Sequence, residues 1–121
     1  MPRKALVVDD SASMRQLVSL TLVKEGYAVV EAANGQEGLK QLGVGSFDVI
    51  ITDLNMPVMD GITFVQQVRA KSALKFTPVL LLTTETRADQ KSKARAAGAT
   101  GWLTKPFEPA ALIGALKKVL P

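Results

Sequence analysis

Five short apolar runs recur along the chain: KALVV at 4–8, YAVVEA at 27–32, FDVIIT at 47–52, TPVLLLT at 77–83 and TGWLT at 100–104. Each is rich in Val, Ile or Leu and bounded by turn-forming or charged residues. That is the pattern of strands buried on both faces of a parallel sheet. Between them the apolar spacing changes to that of helices, with faces marked by Met14, Leu17, Val18, Leu20, Thr21 and Leu22, by Gly38, Leu39 and Leu42, by Ile62, Val65 and Val68, by Ala94 and Ala97, and by Leu112, Leu116 and Val119. Local signals punctuate these helices. Ser13-Met-Arg-Gln16 reads as a capping box, Gly26 and Gly98 sit where helices would end, and Pro109 can occupy a first helical turn. Strict alternation of strand and helix predicts one doubly wound α/β sheet. With no internal repeat, low-complexity tract or linker, a single domain spanning 1–121 is expected.

Composition narrows the chemistry. The chain has no Cys and no His, which removes disulfides, thiolate nucleophiles, imidazole ligands and bases, and any phosphohistidine of its own. Chemistry here must run on carboxylates, hydroxyls, lysine and a hard cation. The N-terminus, MPRKALVVDD, turns acidic after four apolar residues, too few for a secretory h-region, and no stretch is long enough to span a membrane; a cytoplasmic location without membrane insertion is expected.

In open α/β sheets ligands bind beyond the carboxyl ends of the strands. Those ends carry Asp9-Asp10, Asp53, Thr83-Thr84 and Lys105-Pro106, while the second run ends less informatively in Glu31-Ala-Ala-Asn-Gly35. Taken singly, Asp9 or Asp10 could be a helix cap, and Thr83 and Lys105 ordinary strand ends; Asp60, before GITFVQQVRAK, is assigned to capping. Taken together they demand more. Two carboxylates about 4 Å apart repel by roughly 4 kcal/mol at an effective dielectric near 20, and a cation offsets that repulsion. With oxygen ligands only, the natural cation is Mg²⁺ or Mn²⁺.

The motifs VVDDS, TDLNMPVMDG, Thr83 after PVLLLT, and Lys105-Pro106, in that order and across essentially the whole chain, resemble the receiver domain of bacterial two-component response regulators, above all the stand-alone chemotaxis-type regulators. The resemblance implies a flavodoxin-like (βα)5 fold with strand order 2-1-3-4-5, and a phosphorylation-activated switch in place of a turnover enzyme. It implies that Asp53 takes a phosphoryl group from a phosphohistidine on a partner histidine kinase. Mg²⁺ (or Mn²⁺) would be held by Asp10 and Asp53 directly, by the backbone carbonyl of Asn55, and by Asp9 through water. Lys105 would pair with Asp53 at rest and with a phosphoryl oxygen afterwards, the Thr83 hydroxyl would bond another oxygen, and the Lys105–Pro106 peptide would be cis.

Some positions vary from the family's usual pattern. Trp102 stands where members usually carry Tyr or Phe as a switch that swings inward on phosphorylation; the plainer reading is an aromatic that packs on a helix. Thr84 replaces the Ala or Gly of many members and narrows access. Asn55 and Glu85 match the chemotaxis-type members at positions that tune aspartyl-phosphate lifetime, which favours a short one.

Charge is uneven along the chain. From Arg69 onward ten basic residues face three acidic ones, against five and eight before it, for a net charge of +4. RADQKSKARAA on the fourth helix and Lys117-Lys118 on the last place this excess on the helix 4–strand 5–helix 5 face. By resemblance that is the output surface for a downstream protein such as a flagellar motor switch or another signalling protein, and a monomer in chemotaxis or motility is expected. Nucleic acid is disfavoured, since there is no helix-turn-helix signature or exposed aromatic series. A flavin carrier is a poor fit because Asp9-Asp10 would repel a phosphate after the first strand, and so is an aspartate-based phosphohydrolase, because Asn55 stands where a second Asp is usual and there is no room for that class's usual cap domain. A metal-independent pseudo-receiver acting as a binding module, or a receiver belonging to a longer regulator, stays open; the ending ALKKVLP, without a linker, favours a complete protein.

Overall fold

The computed structural model describes residues 3–120; Met1, Pro2 and Pro121, the ends of the expected 1–121 domain, lie outside the described residues. Strands and helices alternate as β1 (Lys4–Val8), α1 (Ala12–Lys24), β2 (Ala28–Ala32), α2 (Gly35–Val44), β3 (Val49–Thr52), α3 (Gly61–Arg69), a 3-10 turn (Ser72–Leu74), β4 (Val79–Thr83), α4 (Ala88–Ala97), β5 (Gly101–Thr104) and α5 (Pro109–Val119). The strands form one parallel sheet in the order β2-β1-β3-β4-β5, so the fold is the flavodoxin-like α/β fold.

Alternation along each strand sends side chains to two cores. Leu6, Val8 and Ile50 pack with Phe64, Val65 and Val68 of α3 on one face. Ala5, Val7, Val49, Ile51, Leu80 and Leu82 pack with Val18 and Leu22 of α1 and Leu112 and Leu116 of α5 on the other. Full burial of such a side chain contributes about 1.5–3 kcal/mol, so β1, β3 and β4 form a stiff platform for whatever follows their carboxyl ends. The outer strands correct the expectation of burial on both faces. β2 and β5 are only partly covered, because each pairs on one side alone and the helices do not reach around the sheet edges.

Helix boundaries follow local chemistry, with one correction. α1 begins at Ala12, capped by Ser11, whose Oγ accepts from the Met14 N–H at 3.3 Å. Ser13 is already helical and its hydroxyl shares a hydrogen bond with Ser11, so the cap lies two residues earlier than the sequence suggests, and with Met14 at the third helical position it is a simple serine cap, not a capping box. Asp60 caps α3, accepting from Thr63 N–H at 2.8 Å. Gly98 ends α4 at φ 116°, where a Cβ would also press on Arg69. The apolar stripe of α1 is wider than its core contact. Val18, Thr21 and Leu22 face inward, while Leu17 and Leu20 open onto a groove shared with Ile113 and Gly114 of α5. Among the described residues no helix is long and apolar enough to cross a membrane.

Candidate metal centre at the carboxyl edge of the sheet

β1 and β3 run in register, Val8 opposite Thr52, so the residues that follow, Asp9 and Asp53, emerge side by side. Their amides continue the ladders, Asp9 N–H to the Ala32 carbonyl at 3.1 Å and Asp53 N–H to the Val8 carbonyl at 3.0 Å. Both carboxylates are buried, whereas Asp10 is exposed. Asp9, Asp10 and Asp53 can each present an oxygen such that all lie within 4.8 Å of one another. Three hard oxygen donors at that spacing, with no thiolate or imidazole among them, fit a divalent cation of the Mg²⁺ type.

Lys105 enters from the other side. It follows β5, and its N–H bonds the Thr83 carbonyl at 2.9 Å. Its Nζ donates to Asp9 Oδ2 at 2.7 Å and to Asp53 Oδ2 at 3.0 Å, with all three side chains at most 10% exposed. Burial by itself pushes the ammonium's pKa down, but the hydrogen bonds to Asp9 and Asp53, with their charges, outweigh it and leave the pKa above the usual lysine value. Asp9, the nearer acceptor, was not anticipated as a partner of Lys105; no local signal pairs residues 96 positions apart. The Lys105–Pro106 peptide is cis.

The other oxygen of Asp53 faces the loop that follows. Oδ1 accepts from Leu54 N–H at 2.6 Å and Asn55 N–H at 3.4 Å, which sets the carboxylate's rotation. That loop closes because residue 61 is glycine. Gly61 N–H bonds the Leu54 carbonyl at 2.7 Å, and a Cβ there would run into the Asp53 carbonyl oxygen. Within it, Met59 N–H bonds the Pro57 carbonyl across Val58, which sits at φ 71° and is 71% exposed. A β-branched residue in this tight three-residue turn is strained. Val58→Asn, which tolerates positive φ and forfeits little packing, is expected to stabilise the protein by about 1 kcal/mol, read as a higher thermal midpoint.

Thr83 is fully buried at the end of β4, its hydroxyl accepting from Glu85 N–H at 3.2 Å, which leaves the hydroxyl proton for another acceptor. The Glu85 carboxylate curls into its own loop, bonded by the Thr86 and Arg87 amides and by the Arg87 guanidinium. Hydrogen bonding from Arg87 holds its carboxyl below the usual range. Thr84 and Asn55 are exposed at the rim. Trp102 packs half-buried with Leu54, Leu81 and Ala94, under the Lys91 ammonium at 5.5 Å, and its indole N–H is buried without an acceptor among the described residues.

Asp9 and Asp10 are not helix caps. Asp9 Oδ1 accepts from Ser11 N–H at 2.9 Å, turning the chain toward Ser11, which is the cap. A further residue at this edge went unread in the sequence: Arg15, whose guanidinium reaches the Asp9 carbonyl.

A five-stranded 2-1-3-4-5 sheet with an acidic triad and a bridging lysine at its carboxyl edge is the arrangement of a receiver domain, a phosphorylation-activated switch. The chain belongs to the response regulator receiver domain family, whose model matches residues 5–117. It is 39% identical over 117 residues to the chemotaxis protein CheY of Pseudomonas aeruginosa, covering 96% of this chain and 94% of that protein. Its structure matches chemotaxis protein CheY4 of Vibrio cholerae with a TM-score of 0.96 at 53% identity, covering 99% of this chain and 100% of that one. At 25% identity and a TM-score of 0.90 it also matches the receiver domain of the sensor histidine kinase PA1611 of Pseudomonas aeruginosa PAO1, covering 98% and 97%, a structure with a magnesium ion coordinated in its active-site cleft.

Proposed function

We propose that this chain is a chemotaxis-type response regulator acting as a single receiver domain, with Asp53 as the phosphoacceptor. The observation that carries the reading is the buried Lys105 ammonium shared between Asp9 and Asp53: one ammonium against three carboxylates leaves the edge net negative, which suits a divalent cation, and it places a positive charge beside Asp53 where a phosphoryl oxygen would arrive.

The chain has no histidine, so the phosphohistidine belongs to a partner kinase. An oxygen of Asp53 attacks phosphorus, the P–N bond breaks, and the imidazole leaves with its electron pair and takes up a proton. Oδ1, held by the Leu54 and Asn55 amides, orients the carboxylate and leaves Oδ2 to attack. Lys105 passes its contact from Asp53 Oδ2 to a phosphoryl oxygen, and Thr83 donates its hydroxyl proton to another. Bound Mg²⁺, or Mn²⁺ in its place, supplies neutralisation of the phosphoryl oxygens; Asp10, Asp53, the Asn55 carbonyl and, through water, Asp9 would hold it.

Rotation of Thr83 toward the phosphoryl group would be relayed along β4 and β5 to Trp102, which pairs with Leu81 and whose indole N–H has no acceptor among the described residues to hold it in place. The output face is α4–β5–α5, where Lys91, Arg95, Lys117 and Lys118 are exposed and suit an acidic segment of a downstream protein, such as a flagellar motor switch component. The CheY relatives support a role in chemotaxis; a monomer acting in the cytoplasm, without nucleic acid or membrane insertion, completes this reading. Glu85 and Asn55, at the rim, favour a short-lived phosphate.

Incubation with Mg²⁺ and acetyl phosphate is expected to add one acid-stable, base-labile phosphoryl mass and to change the emission of Trp102, the only tryptophan, with the emission change lost in Thr83→Ala. A metal-independent binding module would show no mass gain and no Mg²⁺ affinity. Full phosphorylation with constant emission would make Trp102 a packing residue and move the signal to the loop after Thr83.

A further inference from the structure

The ladder between β1 and β2 ends at Val8 opposite Ala32, and the Asp9 carbonyl lies past its last pair. That oxygen accepts from Arg15 Nη1 at 2.6 Å. It belongs to the planar peptide that joins Asp9 to Asp10, so anchoring it sets the plane and the position of the Asp10 Cα. The Asp9 side chain is fixed independently, by Ser11 N–H and by Lys105. Asp10 is exposed, and its direction depends on that plane.

The other arm of the guanidinium is held too. Arg15 Nε lies 3.3 Å from Glu31 Oε1, the Arg15 side chain 18% exposed and the Glu31 side chain 37%. Arg15 sits four residues after the cap of α1, where the helix dipole disfavours a cation, and Glu31 on β2 offsets that. A long cationic side chain is thus folded back along its own helix to grip one carbonyl, and a carboxylate from the neighbouring strand keeps it there.

We infer that Arg15 is a positioning residue for the metal centre, directing Asp10 through the Asp9–Asp10 peptide, with Glu31 steadying Arg15. The inference rests on the reading of Asp9, Asp10 and Asp53 as that centre. Its sign is distinctive. A cation beside a cation site opposes metal binding by charge alone, so if charge were all that Arg15 contributed, removing it would tighten Mg²⁺ binding. As a positioning residue it does the reverse.

Calorimetric titration of Mg²⁺ into the metal-free protein decides between them, with thermal melting in EDTA to confirm folding. Arg15→Ala is expected to weaken Mg²⁺ about tenfold, the scale of losing an outer hydrogen bond that orients a ligand. Glu31→Gln, which loosens one arm only, should weaken it about threefold on the same basis. In an Asp10→Asn background, titrated at higher Mg²⁺, Arg15→Ala should add almost nothing, because the residue it directs no longer ligates as an anion. Should Arg15→Ala not fold, Arg15→Lys decides, since it keeps the charge, loses the fork and is expected to weaken binding about threefold. Unchanged or tighter binding in the folded variants overturns the inference, and so does the full tenfold loss persisting in the Asp10→Asn background. A parent protein that binds no Mg²⁺ overturns the metal centre itself, and this inference with it.

Discussion

Asp53→Asn is expected to abolish phosphorylation by acetyl phosphate and by a phosphohistidine donor, leaving the mass unchanged after incubations that label the parent to completion. The substitution keeps the side chain's size and the oxygen that accepts from the Leu54 amide, so the loop to Gly61 should hold its shape. What it removes is the anion: a neutral amide neither attacks phosphorus nor pairs with Lys105. Lys105 retains Asp9 at 2.7 Å, so the variant should fold, and its melting curve in EDTA serves as the control that inactivity is chemical. Asp9→Asn and Asp10→Asn should behave differently, slowing the reaction through the metal while leaving the acceptor in place. Stoichiometric, base-labile labelling of Asp53→Asn on another carboxylate would overturn the assignment, with Asp9 and Asp10 the residues to map first.

The strands were legible because parallel strands in the middle of a sheet are buried on both faces. Apolar continuity in VIIT and VLLLT therefore has one simple reading, and β3 and β4 coincide with those runs. The same rule overreached at β2 and β5, whose sequences are apolar enough to look central although each is an edge. The triad and lysine were legible because topology brings the strand ends to one rim whatever the details of packing. Contacts made by long cationic side chains were not legible. Arg69 donates to the carbonyls of Gly98, Leu74 and Thr77, tying α3 to the end of α4 with no carboxylate involved, and burial pushes its pKa down. Arg15 on the Asp9 carbonyl is the same kind of contact. A backbone carbonyl has no residue identity, so no pattern of residue types announces it as a partner. Val58 shows the opposite failure: propensity argues against positive φ at a β-branched residue, and the closure of the loop by Gly61 overrides it.

Lys105→Met is expected to destabilise the metal-free protein by about 3 kcal/mol near neutral pH, the usual scale for removing one partner from a buried charge cluster. Methionine fills much of the aliphatic stem's space, so the loss isolates charge from packing. Without the ammonium, Asp9 and Asp53 face each other with Asp10 close by, and the backbone amides of Ser11, Leu54 and Asn55 are left to offset them. Two consequences separate this from a simple packing defect. A cation held by the triad would stabilise the folded state alone, and in the variant it would no longer be opposed by a neighbouring ammonium; the rise in melting temperature on adding Mg²⁺ should therefore be larger in Lys105→Met than in the parent. The second consequence is the pH profile. Because the folded protein holds the Lys105 pKa above its unfolded value, the stabilisation by this ammonium is complete below the ordinary lysine range and is lost as pH rises through the higher folded value. The gap between parent and variant should thus stay level through neutral and mildly basic pH, and close only in strong base. Melting curves in EDTA and in saturating Mg²⁺, at neutral and strongly basic pH, measure both. Equal midpoints in EDTA at neutral pH would mean that Lys105 does not balance the acidic triad, and the charge argument for the phosphoryl site would lose its support.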